Sequence, residues 1–308
     1  MKEVSTEGVY VRIGAFELDE PIPELNEPYA FVILKPWIDV NNVGTLVLNE
    51  LEAQFEAEEM ARLAKPGFFF DFTRYRPTLF LEQGVRTMSV PNVTLRWAKR
   101  EGGNDLLFLH LLEPHAFSEV YVDSILKLLK HFNAKKYILL GSMYDWVPHT
   151  KPLILIGGAT GREAVQDLKK SGALQSSYQG PTSFVTSILQ KAPELGIETI
   201  WLIVALPQYV VVEEDYLGKV RLMEVLNLLY DVPVDQKDFE RALEQRSSIS
   251  QRMQETPELK HLLPQLESVY DLRIESKEGE GAPRLTSEME ELLWKVMGKD
   301  PGKTETKH

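Results

Sequence analysis

The chain has 308 residues, and its 34 basic and 46 acidic side chains give a formal net charge of −12. That charge argues against binding to the phosphates of nucleic acids, and the lack of cysteine excludes disulfides, thiol nucleophiles and cysteine-bound metals. Residues 1–5 do not resemble a signal peptide, and the longest apolar run, residues 200–206, is too short to span a bilayer. We therefore expect a cytoplasmic protein without a membrane partner.

Short apolar runs alternate with amphipathic segments through the first 136 residues, which is typical of an α/β domain. Strands are predicted at 9–13, 30–34, 67–72, 91–99 and 106–111, and helices at 41–64 and 118–131. The segment 67–72 is unusually rich in phenylalanine. The acidic residues on the first helix are interpreted as a solvated face.

The centre of the sequence contains two buried strands, 137–140 and 153–156, separated by a polar loop. About ten residues are too few for a parallel crossover, so we expect a mixed sheet. Thr160 and Glu163 have the spacing of a capping box at the start of helix 161–171. Pro181 is predicted in the first turn of the next helix. A strand at 199–205 and a helix at 215–230 complete the core.

The composition changes after residue 231, where two charged helices are predicted at 235–253 and 257–272. We expect an α/β core domain over 1–232, a helical arm over 233–273, and a linker, short helix and disordered tail over 274–308. A narrow apolar seam runs along the second arm helix, and the facing helix offers few apolar residues to cover it. We expect a second subunit to cover part of the seam. The seam residues are Leu259, Leu262, Leu263, Leu266 and Val269.

The loop residues Ser142, Asp145 and His149 are the elements of a hydrolase triad, but the pattern Gly-x-Ser-x-Gly is absent. The alternative is a polar loop whose side chains bond to one another or to the backbone. Two further patterns can each be interpreted either as a binding site or as a purely structural feature. The glycines at 157–161 suit either an anion site or a tight turn. Asp71 with Arg74 or Arg76 suits either a polar ligand or an ion pair, and the ion pair is expected.

A metal site is not predicted. His110 and His115 superficially have the spacing of an inverted zinc-peptidase motif. Such a motif needs a helix to bring both imidazoles to one face. Pro114 blocks a helix there, and His110 lies in a predicted strand.

Four stretches occur in the order found in one family: Arg76-Pro77 after Asp71-Phe72, Gly141 before residues 145–152, residues 178–182, and residues 205–210. With them the chain resembles the proteasome assembly chaperone 2 family in its long prokaryotic form. The resemblance covers about residues 30–271. It implies a three-layer α/β/α core with a mixed sheet, similar to the phosphorylase/hydrolase fold, and a C-terminal helical arm. It also implies a role in assembly and a homo-oligomer, with a trimer favoured.

Our leading interpretation is a non-enzymatic binding or assembly protein without a cofactor. The alternative is an enzyme, a hydrolase or an ATP-dependent carboxylate–amine ligase, that uses the loop 142–151. We expect Asp145, His149 and Thr150 to lie beside the helix start at Gly180. The printed sequence ends without the hydrophobic-Tyr-any motif of ring-docking relatives, so we expect no docking through that motif. The candidate binding residues are Asp71, Arg76, Ser142, Asp145, His149, Thr150, Gly180, Thr182 and Tyr209.

Overall fold

A computed structural model describes residues 2–5, 8–82, 84–176 and 178–276. The strands are β1 Lys2–Ser5, β2 Gly8–Ile13, β3 Phe16–Asp19, β4 Tyr29–Lys35, β5 Glu58–Leu63, β6 Thr78–Glu82, β7 Val85–Ser89, β8 Thr94–Ala98, β9 Leu106–Leu112, β10 Lys136–Asp145, β11 Leu155–Thr160, β12 Leu174–Gln175 and β13 Glu198–Pro207. The α-helices are α1 Val43–Gln54, α2 Ser118–His131, α3 Arg162–Ser171, α4 Val185–Lys191, α5 Tyr216–Tyr230, α6 Gln236–Gln254 and α7 Pro257–Ser276.

The central sheet is mixed, as the short connection between β10 and β11 predicted. Its order is β1-β2-β3-β5-β8-β9-β4-β10-β13-β11-β12. The four central strands β9, β4, β10 and β13 run parallel to one another. Strand β11 pairs with β13 in the antiparallel direction. The carboxyl ends of the four parallel strands therefore meet at one edge of the sheet.

Helices cover both faces of this sheet, which confirms the predicted three-layer α/β/α core. Alternate residues of β4 point to opposite sides, so Val32 contributes to one apolar cluster and Ile33 to the other. Helices α2 and α4 pack on the Val32 side, and α1, α3 and α5 pack on the Ile33 side. Strands buried on both faces are apolar throughout, which is why β4, β9, β10 and β13 were recognisable in the sequence.

The helix expected over 41–64 is wrong in its second half. Helix α1 ends at Gln54, and Glu56 takes a positive φ of 50° that turns the chain. Residues 58–63 then form β5 between β3 and β8. Glu58 and Glu59 are exposed, whereas Met60 and Leu63 are buried. The acidic residues 58 and 59 therefore lie on a strand.

The aromatic strand expected over 67–72 is also wrong. Residues 66–68 form a 3₁₀ turn, and Phe69 and Phe70 pack against Tyr121 of α2. The backbone N–H groups of His115 and Ala116 donate to the carbonyl of Phe69. These contacts bury the phenylalanines without any strand pairing, so apolar burial was mistaken for an extended chain.

Residues 157–160, for which the sequence left an anion site or a tight turn open, belong to strand β11, and Gly161 precedes helix α3 with a φ of 111°. Gly157 and Gly158 serve packing. A Cβ at Gly158 would lie 2.6 Å from the indole Nε1 of Trp201, and one at Gly157 would lie 2.7 Å from the carbonyl oxygen of Trp201. The expected capping box is wrong as well. The carboxylate of Glu198 accepts from the backbone N–H groups of Glu163 and Ala164 at 3.1 and 2.7 Å. A long-range glutamate thus satisfies the helix start that Thr160 was expected to cap.

The two C-terminal helices lie against the core of the same chain. Leu259, Leu262 and Leu266 of α7 are buried in a cluster with Tyr209 and Val210, which follow β13. These three leucines are therefore covered within one chain, whereas Leu263 and Val269 of the same seam are half-buried. The contact of a second subunit with part of the seam stays a prediction. Helix α7 extends to Ser276, so residues 274–276 of the expected linker are helical. The rest of that linker, the short helix and the tail lie outside the described residues. None of the described helices is long and apolar enough to cross a membrane.

Candidate functional site

Ser142 is part of strand β10 and is fully buried. Its backbone N–H donates to the carbonyl of Ile38 at 2.9 Å, and its hydroxyl donates to the carbonyl of Val40 at 2.6 Å. The neighbouring Gly141 leaves room for the same loop, because a Cβ there would come within 2.2 Å of the Ile38 oxygen. Ser142 thus holds the loop after β4 and is not presented to a substrate.

Asp145 and Thr150 are both bound to helix α7. A carboxylate oxygen of Asp145 accepts from the guanidinium of Arg273 at 2.6 Å. The hydroxyl of Thr150 donates to the carboxylate of Glu267 at 2.5 Å, and its carbonyl accepts from Arg246 at 2.9 Å. The segment after β10 is therefore clamped between the core and the helical arm.

His149 is buried against Tyr209. Its backbone N–H donates to the hydroxyl oxygen of Tyr209 at 2.8 Å, and its Nδ1 lies 2.9 Å from the same oxygen. The Tyr209 hydroxyl has one proton and a second acceptor site, so it suits either neutral tautomer of His149: it donates to a bare Nδ1 or accepts from Nδ1–H. Burial lowers the pKa of His149, and the nearby Arg246 lowers it further, whereas Glu267 raises it.

The free energy of unfolding should fall when the pH drops below the pKa of a free imidazole. The pKa of His149 in the folded chain is depressed below its ordinary value of 6.5. The unfolded chain therefore binds the proton more readily, and the stabilisation present above pH 6.5 is lost as the pH falls through the folded pKa. Chemical denaturation across this range should show a steeper loss for the wild type than for His149→Gln. Parallel losses in the two proteins would contradict this assignment.

Gly180 and Thr182 precede helix α4, which begins at Val185 instead of at the expected Pro181. The hydroxyl of Thr182 lies 2.6 Å from that of Thr186, and a Cβ at Gly180 would meet the ring of Tyr178. Among the described residues, no hydrogen bond or ion pair joins this segment to Asp145, His149 or Thr150. The expected convergence of the two segments therefore finds no support and stays a prediction.

Asp71 lies in a different place, in an open cleft of about 550 Å³. Its carboxylate accepts from the backbone N–H and hydroxyl of Thr73 at 2.8 and 2.7 Å, and these bonds lower its pKa. The ion pair expected from the sequence is present with Arg74, at 4.0 Å. Arg76 is exposed and does not line the cleft.

The cleft lies beside the carboxyl ends of β4 and β9, where ligands commonly bind in open α/β sheets. The backbone N–H of Asp71 donates to Nδ1 of His115, whose ring contacts Tyr75. Burial raises the pKa of Glu113 although the backbone N–H of Phe184 bonds to its carboxylate. The cleft is lined by Pro36, Trp37, Asp71, Arg74, Tyr75, Glu113, Pro114 and His115.

Of the residues that line the cleft, only Asp71 was among the candidate binding residues, and Arg74 was considered as its ion-pair partner. The signal that was available is their position, because Pro36-Trp37 directly follows one buried parallel strand and Glu113-Pro114 directly follows its neighbour. Polar residues at the ends of adjacent parallel strands share one edge of a sheet. Without the strand order, nothing in the sequence shows that β4 and β9 are neighbours.

These features define a class of protein: a three-layer α/β/α core with a mixed sheet, whose C-terminal helices clamp the ends of the central strands. The model of the PAC2 family matches residues 33–255. The chain therefore belongs to the PAC2 family, which confirms the resemblance seen in its motifs. It matches no curated protein.

Solved structures from bacteria and an archaeon share the fold. A Mycobacterium tuberculosis protein of unknown function is similar over 86% of this chain and 94% of its own, with 23% identity and a TM-score of 0.73. A proteasome-assembly chaperone homologue from the same organism covers 76% of this chain and 98% of its own, with 19% identity and a TM-score of 0.67. The proteasome activator of Pyrococcus furiosus is similar over 77% of this chain and 97% of its own, with 15% identity and a TM-score of 0.59.

Proposed function

We propose that this chain is a cytoplasmic, non-enzymatic assembly factor that binds other proteins in the manner of an assembly chaperone and acts as a homo-oligomer, with a trimer expected. The observation that carries the proposal is the hairpin β6–β7, which presents large apolar side chains to solvent. Exposed apolar patches of this kind mark protein-interaction sites. Similar folds in a proteasome-assembly chaperone homologue and a proteasome activator support the same reading.

The state of the central loop argues against the enzyme alternative. An enzyme that uses residues 142–151 needs a nucleophile and a base that face a common space. Ser142 is instead buried against backbone, Asp145 is paired with Arg273, and His149 is bonded to Tyr209. Each group is occupied by a contact that holds the core or the arm in place.

A reconstitution experiment tests the proposal. The purified chain is mixed with proteasome α subunits of its own organism, with an unrelated acidic protein of similar size as control. We expect a complex in size-exclusion chromatography and more assembled ring than in the control. If no complex forms and ring yield is unchanged, a role in proteasome assembly is wrong. Hydrolysis of an ester or of ATP that disappears in Ser142→Ala or His149→Gln would instead support the enzyme.

A further inference from the structure

The hairpin β6–β7 stands apart from the rest of the fold. Among the residues that the structure describes, its strands pair with each other and not with the main sheet. Every residue of both strands is exposed, and the large apolar side chains are between 46 and 71% exposed. A two-stranded hairpin is marginally stable by itself in water. These side chains are Leu79, Phe80, Leu81, Val85 and Met88.

One face of the hairpin combines apolar surface with a single positive charge. Leu79 lies opposite Met88, and Leu81 lies opposite Arg86, so these four side chains share a face. Arg86 forms no ion pair with any other residue that the structure describes. A partner for this face must therefore offer apolar surface next to a negative charge.

The cleft beside β4 and β9 offers both apolar surface and negative charge. Its apolar wall is formed by Pro36, Trp37 and Pro114, and Trp37 is 56% exposed. Two carboxylates, Asp71 and Glu113, line the same space. Asp71 is exposed, and its ion pair with Arg74, which lines the same cleft, is long at 4.0 Å. Two copies with a net charge of −12 each repel one another overall, so the contact depends on the local pairing of the positive side chain with these carboxylates.

We propose that the hairpin of one copy docks in the cleft of a second copy, with Leu79, Leu81 and Met88 against Trp37 and Arg86 facing Asp71. The proposal rests on the proposed self-association and names its surface. The two surfaces differ, so repeated docking is head to tail and closes into a ring when the rotation allows. Reciprocal docking of two copies gives a dimer. Either assembly covers the exposed leucines.

Charge exchange tests the contact in the full chain, with mass measured by sedimentation velocity across the micromolar range. Arg86→Glu and Asp71→Arg should each weaken assembly by about tenfold, since they place like charges together. The combined variant should recover assembly, because the opposite charges are restored in exchanged positions. Leu81→Ser should weaken assembly by about thirtyfold if the leucine is a central anchor.

Val211→Ser is the matched control, because Val211 is 80% exposed and lies outside both surfaces. It should leave the mass unchanged, and circular dichroism should show that all variants are folded. A wild-type chain that is monomeric across the whole micromolar range would contradict the proposed self-association itself. An oligomer that persists in Arg86→Glu, Asp71→Arg and Leu81→Ser would leave self-association standing and overturn the hairpin–cleft contact. Failure of the exchanged pair to recover would overturn the pairing of Arg86 with Asp71.

Discussion

Asp167→Ala should lower the free energy of unfolding by about 3–5 kcal/mol, the usual cost of removing one partner of a buried ion pair. Asp167 of α3 forms an ion pair with Lys136, whose side chain is only 2% exposed. The ammonium lies 5.0 and 5.2 Å from the ring centres of Tyr29 and Tyr230, which are 5.4 Å from each other. The rings alone do not compensate a buried charge. Urea denaturation followed by circular dichroism measures the loss.

Asp123→Ala provides the control for that prediction. Asp123 and Lys191 form an ion pair at 3.4 Å, but both side chains are about half exposed. Its removal should cost less than about 1 kcal/mol. Both variants replace aspartate by alanine within a helix, so the gain in helix propensity is shared. The double variant Lys136→Met with Asp167→Leu should recover most of the loss, because it removes both charges. Equal costs for Asp167→Ala and Asp123→Ala would contradict the assignment.

Leu266→Ala should weaken the docking of α7 on the core by about 2–5 kcal/mol, because it removes a fully buried side chain and leaves a cavity. Leu266 packs with Tyr209, Val210 and Ile249, all of the same chain. We expect faster hydrogen exchange in α7 and faster proteolysis near residue 255, at the connection between α6 and α7. Leu272→Ala is the control, since Leu272 lies in the same helix and is 50% exposed.

The same experiment separates docking within one chain from docking between chains. If α7 lies on its own core, the local protection of α7 relative to the central strands should not change with protein concentration. Protection that rises selectively in α7 with concentration would show that a second subunit covers the seam. That result would confirm the expectation drawn from the sequence.

The sequence by itself was sufficient to predict the helices and strands whose residue pattern is local. Strands β4, β9, β10 and β13 are buried on both faces and are therefore continuous apolar runs. The helices α2, α5, α6 and α7 begin and end close to their predicted bounds, because turn and capping residues interrupt each pattern. At the start of α5, for example, a carboxylate oxygen of Asp215 accepts from the backbone N–H of Gly218 at 2.7 Å. The motifs at 141–152 and 205–210 were sufficient to recognise the family.

The tertiary structure alone decided what those motifs do. The sequence shows Asp145, His149 and Thr150 as neighbours in a polar loop, and their spacing suits a site as well as a scaffold. Their partners Arg273, Tyr209 and Glu267 lie 60 to 128 positions away. Hydrogen bonds over such separations depend on how the arm folds back, and no local pattern encodes that path.

The cleft and the hairpin were missed for two different physical reasons. A strand pattern predicts burial on at least one face, whereas β6 and β7 are exposed on both, so their alternation carried no signal of a core. The cleft is formed by residues that follow β4 and β9, two strands more than seventy positions apart that become neighbours only in the sheet. Strand order is set by the packing of helices on both faces, which a single sequence does not display.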